Sequence, residues 1–175
     1  MESIIYEANI ITVCTYNHLN KSIFAIQRAN KFGQFNKNFI FIIDAYSETI
    51  DHINTVYKNK NIKIEFFSPS KLPGELQIIF KRAFNYFSAM ELCCLAQYIG
   101  IKHILSLSKN VSKCIYIDND IFFFKNLEST LSKIKDKSLL VVPHYIFPCK
   151  ESIELETFIS GYINSGFSIY NSQNI

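Results

Sequence analysis

Two apolar runs, Cys114-Ile115-Tyr116-Ile117 and Ile121-Phe122-Phe123-Phe124, are separated only by Asp118-Asn119-Asp120. Runs rich in Ile, Tyr and Phe read as buried strands. Burying a carboxylate is costly unless it is paired or holds a metal. The sequence therefore sets two negative charges at the end of a core strand, where a divalent cation could sit.

Other segments repeat the pattern of an apolar run followed by a polar residue. Asn9 to Thr15 reads as a first buried strand, with Tyr16-Asn17-His18 as the turn after it. Asn38 to Asp44 reads as a second strand, again ending in Asp, and Ile62 to Phe67 as a third. Asn20 to Phe32 has apolar residues near helical spacing, with Gly33 as a stop. Leu72 to Leu107 carries helical pattern in two pieces; Pro73 can open the first, and Gly100 is expected to interrupt or end a later one. Lys113 to Ile117 is a further strand, Glu128 to Lys135 a short helix, Ser138 to Val142 a strand, and Tyr162 to Tyr170 contains the last. Strands alternating with helices imply an α/β domain with a mainly parallel sheet flanked by helices. In such sheets ligands bind outside the carboxyl ends of the strands, and Asn17, Asp44 and Asp118 all fall just past strand ends.

Composition narrows the function classes. Hydrophobic residues make up 49% and charged residues 19%, a globular balance rather than a disordered one. A formal net charge of +3 with scattered lysines does not point to nucleic acid. The five cysteines are odd in number and no pair has CxxC spacing, so a reducing cytoplasm is the natural setting. Met1 to Glu7 lacks the basic start and apolar run of a signal peptide. No apolar stretch approaches the ~20 residues a membrane span needs, while peripheral attachment at a membrane surface stays open.

A bare D-x-D is a weak motif, and its apolar flanks are what raise it. Carboxylate oxygens suit hard cations such as Mg²⁺ and Mn²⁺. Such an ion would neutralise a diphosphate and polarise the leaving oxygen; the competing reading is a capped turn. An EF-hand loop fails because Phe122 and Phe123 stand where Asp or Asn and then Gly are needed. A dehalogenase-type phosphatase motif fails because Phe122 replaces its Thr. The chain has no glycine-rich phosphate loop and no GxSxG. His52 and His103 read as surface or packing residues; His144, after Pro143, has a ligand-facing alternative.

With these residues in hand, the chain resembles GT-A fold glycosyltransferases that use nucleotide-sugar donors. The segment ITVCTYNHLNKSIFAIQRANKF looks like the opening strand and helix, FIFIIDA like the second strand, VSKCIYIDNDIFFFKNLEST like the D-x-D strand, and GYINSGFSIYN like a later Asn-x-Gly strand. NYFSAMELCCLAQYIGIKHIL is similar to the helical region before the D-x-D in bacterial members, although Gln97-Tyr98 stands where a Lys-Pro pair is common.

The resemblance implies that Thr15, Tyr16 and Asn17 border the base and ribose and that Asp44 bonds the nucleoside. It implies Asp120 as a direct metal ligand and Asp118 as a ligand to metal, ribose or both. Asn164 and Gly166 would face the donor sugar, against a plain turn or bulge as the alternative. The implied reaction is metal-dependent transfer of a hexose from a nucleotide diphosphate sugar, such as a UDP-sugar, to a glycan or lipid-linked acceptor, with Mn²⁺ or Mg²⁺. Residues 1–175 are expected to form a single domain that lacks its C-terminal part, because the resemblance implies roughly another hundred residues. No residue stands out as a catalytic base; Glu151, Glu154 and Glu156 read as a surface segment. The alternatives are an inactive nucleotide-sugar-binding module and, further off, a nucleotidyltransferase.

Overall fold

The computed structural model describes residues 4–107, 110–143 and 163–174. Its chain order is β1 (Ile5–Tyr6), β2 (Asn9–Cys14), α1 (Leu19–Asn30), β3 (Gln34–Phe35), β4 (Asn38–Ile42), α2 (Ser47–Asn59) and β5 (Glu65–Phe67). There follow α3 (Gly74–Phe84), α4 (Ala89–Leu107), β6 (Lys113–Ile117), α5 (Glu128–Leu131), β7 (Leu139–Pro143) and β8 (Ile163–Asn171). Six strands form one sheet in the order β5-β4-β2-β6-β8-β7, while β1 and β3 make a separate parallel pair. β5, β4, β2 and β6 are mutually parallel, and β8 runs antiparallel to both β6 and β7. The expected α/β architecture with a mainly parallel, helix-flanked sheet is the observed one.

The central strands are mostly apolar because both faces of the sheet are covered, with Asn9 and Thr12 of β2 as buried polar exceptions. Alternate residues point to opposite faces. Ile10, Ile40, Ile42, Ile115 and Ile117 enter one core with Ala25 and Ile26 of α1 and Ile50 and Ile53 of α2. Ile11, Phe39, Phe41, Cys114 and Tyr116 enter the other, against Leu76 and Phe80 of α3 and Ala96 and Ile99 of α4. The larger rings thus collect on the α3–α4 side, where Phe41 stacks on Phe67 with centroids 4.6 Å apart. Each such side chain, fully buried, contributes about 1.5–3 kcal/mol.

Four sequence expectations need correction. The run Ile121 to Phe124 is not a strand; the chain after Asp118 turns, and only Phe123 of the three phenylalanines is buried, with Phe124 80% exposed. Gly100 neither ends nor breaks a helix but sits buried inside α4. β5 begins at Glu65 rather than Ile62, because Ile62 to Ile64 are taken up by the turn that leaves α2 through Asn61, at φ 56°. The helix α2 was not anticipated: within SETIDHINTVYKN only Ile50 and Ile53 are buried, too few to make a strong helical stripe. His144, Cys149, Glu151, Glu154 and Glu156 lie outside the described residues.

Gly100 is held by packing. A Cβ there would lie 2.8 Å from Ile11 Cδ1 and 3.2 Å from Phe41 Cδ1, so α4 approaches the sheet as closely as a bare Cα allows. Gly100→Val should therefore destabilise the fold by about 1–3 kcal/mol through overpacking. Urea unfolding measures this; an unchanged midpoint would mean that α4 can step away from β2 and β4 at no cost.

Candidate functional site

The parallel strands bring their carboxyl ends together. Cys14 of β2 lies level with Ile42 of β4, and the Ile43 amide donates to the Cys14 carbonyl at 3.0 Å. Beyond β2 the chain makes a short 3-10 turn over Tyr16–His18, closed by the His18 amide on the Thr15 carbonyl at 3.0 Å. The Tyr16 amide donates to Asp44 Oδ1 at 2.7 Å, so the carboxylate beyond β4 anchors the turn beyond β2. The Thr15 hydroxyl donates to the Asn17 side-chain carbonyl and pairs with His18 Nδ1 at 3.1 Å. The structure thus brings Thr15, Tyr16, Asn17 and Asp44 into one cluster, and the Tyr16 ring is 52% exposed above it.

A second cluster forms where β6 meets β8. β8 runs antiparallel, so its beginning faces the end of β6, and the Asp118 amide donates to the Gly166 carbonyl at 2.8 Å. The Tyr116 hydroxyl donates to Asp118 Oδ1 at 2.5 Å. Burial first, and then the charge of Asp118 and its hold on the proton, keep the Tyr116 phenol firmly protonated. Gly166 lets Asp118 lie where it does: a Cβ there would fall 2.8 Å from Asp118 Oδ2. The Gly166 amide donates to Asn164 Oδ1 at 2.9 Å, which ties down the oxygen of that otherwise exposed side chain. Pairing of β7 with β8 jumps from Val141–Ser168 to Val142–Asn164, so Ser165 to Phe167 form an irregularity in the ladder. Bulges of this kind re-aim side chains beside active sites.

Asp120 is differently placed. It sits exposed in a turn closed by the Ile121 amide on the Asp118 carbonyl at 3.2 Å. The turn reading of Asp118-Asn119-Asp120 is thus the observed local structure, at the mouth of the strand ends. The two clusters meet at Cys93 in the first turns of α4, which interacts with both Asp44 and Asp118. Burial pushes the Cys93 thiol up to about 11, and the charges of Cys94, Asp44 and Asp118 add to the effect. Among the described residues no three His, Cys, Asp or Glu side chains gather as a complete metal shell.

Four contributors escaped the sequence reading. Tyr116 is a strand residue like its neighbours, and nothing in KCIYI distinguishes a phenol that holds a carboxylate. Gln97 is buried in α4 and donates to the Ser165 carbonyl at 3.3 Å and Ser168 Oγ at 3.4 Å, so it supports the irregular part of β8 from behind. Arg28 of α1 donates through Nε to the Phe123 carbonyl at 3.1 Å, and Tyr6 accepts from the Leu127 amide at 2.8 Å. These two tether the segment after Asp120 on both sides. A buried glutamine in an apolar helix was the one available signal, since such a group needs partners.

No protein-family profile matches the chain, and no curated protein matches it. Solved structures do. The galactosyltransferase LgtC, in complex with donor and acceptor sugar analogues, superposes with a TM-score of 0.58 at 13% identity over 95% of this chain and 58% of its own. Mouse xyloside xylosyltransferase 1 gives 0.57 at 11% identity over 98% and 68%. The glycosyltransferase GlyE of Streptococcus pneumoniae TIGR4 gives 0.51 at 12% identity over 94% and 34%. The fold is that of the GT-A glycosyltransferases. The chain spans about a third of GlyE and somewhat over half of LgtC.

The cysteines offer a direct check on the site's electrostatics. A thiol titrating near 11 is thiolate in only about one molecule in a thousand at pH 8. Iodoacetamide at that pH should modify the exposed Cys94 well before Cys93, and Cys93 should respond only as the pH approaches 11. Peptide mass spectrometry with fragmentation separates the two neighbours. Equal rates at pH 8 would contradict a half-buried thiol beside two carboxylates.

Proposed function

We propose that the chain is the donor-binding part of a metal-dependent glycosyltransferase, which moves a hexose from a nucleotide diphosphate sugar, UDP-sugar in the first instance, to a glycan or lipid-linked acceptor. One observation carries the reading: in a glycosyltransferase fold, Asp118 and Asp120 lie just past the end of the central strand β6, with the Asp44 cluster on one side and Gly166 on the other.

The residues present fit a hard divalent cation. Mg²⁺ is usually held by one or two carboxylates, with water and substrate phosphates filling the other positions. The pair of aspartates supplies that donor set without a third protein ligand. Asp120, exposed in its turn, would be the direct ligand; Asp118, already holding the Tyr116 proton, would share the ion or bond the ribose. Mn²⁺ or Mg²⁺ bound there would offset diphosphate charge as the nucleotide leaves.

The chain's own residues would do the rest. The Tyr16 ring offers a face on which a base can stack, and the turn that carries it is fixed by Asp44. The Asn164 amide nitrogen is left to donate to a sugar hydroxyl, because its oxygen is occupied by the Gly166 amide. The absent Cβ of Gly166 leaves room for the Asp118 carboxylate against the strand.

Calorimetry with UDP-sugars and Mn²⁺ tests the reading. Asp120→Asn should weaken metal-dependent donor binding by about tenfold to a hundredfold with the fold intact; a variant that binds as well as the parent removes Asp120 from the site. Gly166→Ala should also weaken binding, by pushing Asp118 aside, while leaving Asp120 in place. Turnover of the donor supports the enzyme, and binding without hydrolysis or transfer supports the inactive module. If no nucleotide sugar binds with either cation, the proposal fails.

A further inference from the structure

The tip joining α3 to α4 exposes an apolar surface that the site does not use. Ile78 and Ile79 on the outer face of α3, and Phe84, Tyr86, Phe87 and Met90 around the turn, are all exposed, Tyr86 at 86% and Met90 at 79%. Six large apolar side chains within thirteen positions make a continuous segment, unlike the scattered exposure normal for a protein surface. Inner positions Leu76, Phe80 and Leu92 are buried, so the helices are well seated and the tip projects from them.

The charges around the tip are mostly basic. Lys81 and Arg82 occupy the last turn of α3, exposed, one helical turn from Ile78. Of the acidic neighbours, Glu75 is paired with Lys102 at 3.3 Å. Glu91 turns back on its own helix start, where Oε2 accepts from the Ser88 amide and hydroxyl, both at 2.8 Å, and these bonds hold it ionised as an acidic charge beside Met90. Lys81 and Arg82 flank the apolar tip, and among the described residues no ion pair engages either. Aromatic and aliphatic side chains beside Lys and Arg are the makeup of a segment that enters the headgroup layer of an anionic membrane. No described helix is long and apolar enough to cross a membrane.

The tip also stands at the mouth of the site. Met90 is one helical turn ahead of Cys93, the thiol that feels both Asp44 and Asp118. We propose that the α3–α4 tip docks on an anionic phospholipid surface, with Phe84, Tyr86, Phe87 and Met90 entering the headgroup layer and Lys81 and Arg82 meeting lipid phosphates. Docking would hold the strand-end site close to the bilayer. That the site there meets a lipid-linked acceptor rests on the transfer reading; docking itself does not.

Sedimentation of the whole chain with phosphatidylcholine vesicles, with and without phosphatidylglycerol and with no nucleotide sugar present, tests the docking alone. The chain should bind the anionic vesicles and not the zwitterionic ones. Tyr86→Ser with Met90→Ser, and separately Lys81→Glu with Arg82→Glu, should each lower binding by about tenfold or more. All four positions are exposed, and circular dichroism confirms that the variants fold. Absence of binding to anionic vesicles, or binding that neither double variant changes, overturns the proposal. So does a chain that is dimeric without lipid and becomes monomeric in Tyr86→Ser with Met90→Ser, since the tip is then a contact between copies. Loss of donor binding in Asp120→Asn with vesicle binding retained separates the two readings.

Discussion

The antiparallel entry of β8 beside β6 is the constraint on which the site depends. In a wholly parallel sheet, the strand next to β6 would present its carboxyl end alongside Asp118. Because β8 runs the other way, its opening residues arrive there instead, and the backbone of Gly166 reaches the Asp118 amide at 2.8 Å. The irregular pairing over Ser165 to Phe167 lets the chain make that approach and still rejoin β7 in register at Ser168. Gln97 braces it from α4. The contact requires glycine for want of space, since any Cβ at position 166 meets the carboxylate.

The same constraint gives the two aspartates different freedom. Asp118 is held through its amide by Gly166, through Oδ1 by Tyr116, and through close approach at Oδ2. Asp120 sits two residues on in an exposed turn, and its side chain is restrained by none of these. A fixed carboxylate thus stands beside an adjustable one. The fixed group sets the position, and the free one can follow a change in charge at low cost in strain. The tethers from Arg28 and Tyr6 then limit how far the segment beyond the turn can move.

Much of the fold was legible because the central strands are covered on both faces. A strand of that kind is apolar at most positions, so NIITVC, NFIFI and KCIYI stand out from the flanking helices. The same criterion misled at Ile121 to Phe124. There Phe123 enters the core while Phe122 packs its exposed ring against Phe24, centroids 5.7 Å apart, so an apolar run is met by a loop lying on α1. Gly100 misled in the opposite direction, since helix-stopping and close packing both select glycine and only the neighbouring Ile11 and Phe41 distinguish them. At the site, residues just past strand ends were legible from position alone. Tyr116 was not, because a buried phenol that supports a site looks in sequence like any other member of the core.

Exposure at this end of the molecule has a common physical origin. Tyr16, Phe122, Tyr86 and Met90 all carry large apolar surface into water, although the sheet beneath them is fully packed. Each exposed side chain of this size forgoes about 1.5–3 kcal/mol of burial. The chain accepts that loss at these positions while β2, β4 and β6 are buried almost without exception. An aromatic ring beside a polar turn can lie against a flat ligand, and a projecting apolar tip can enter an apolar phase, without either event requiring the core to move. Backbones and inner faces close the sheet, while these outer side chains stay in water.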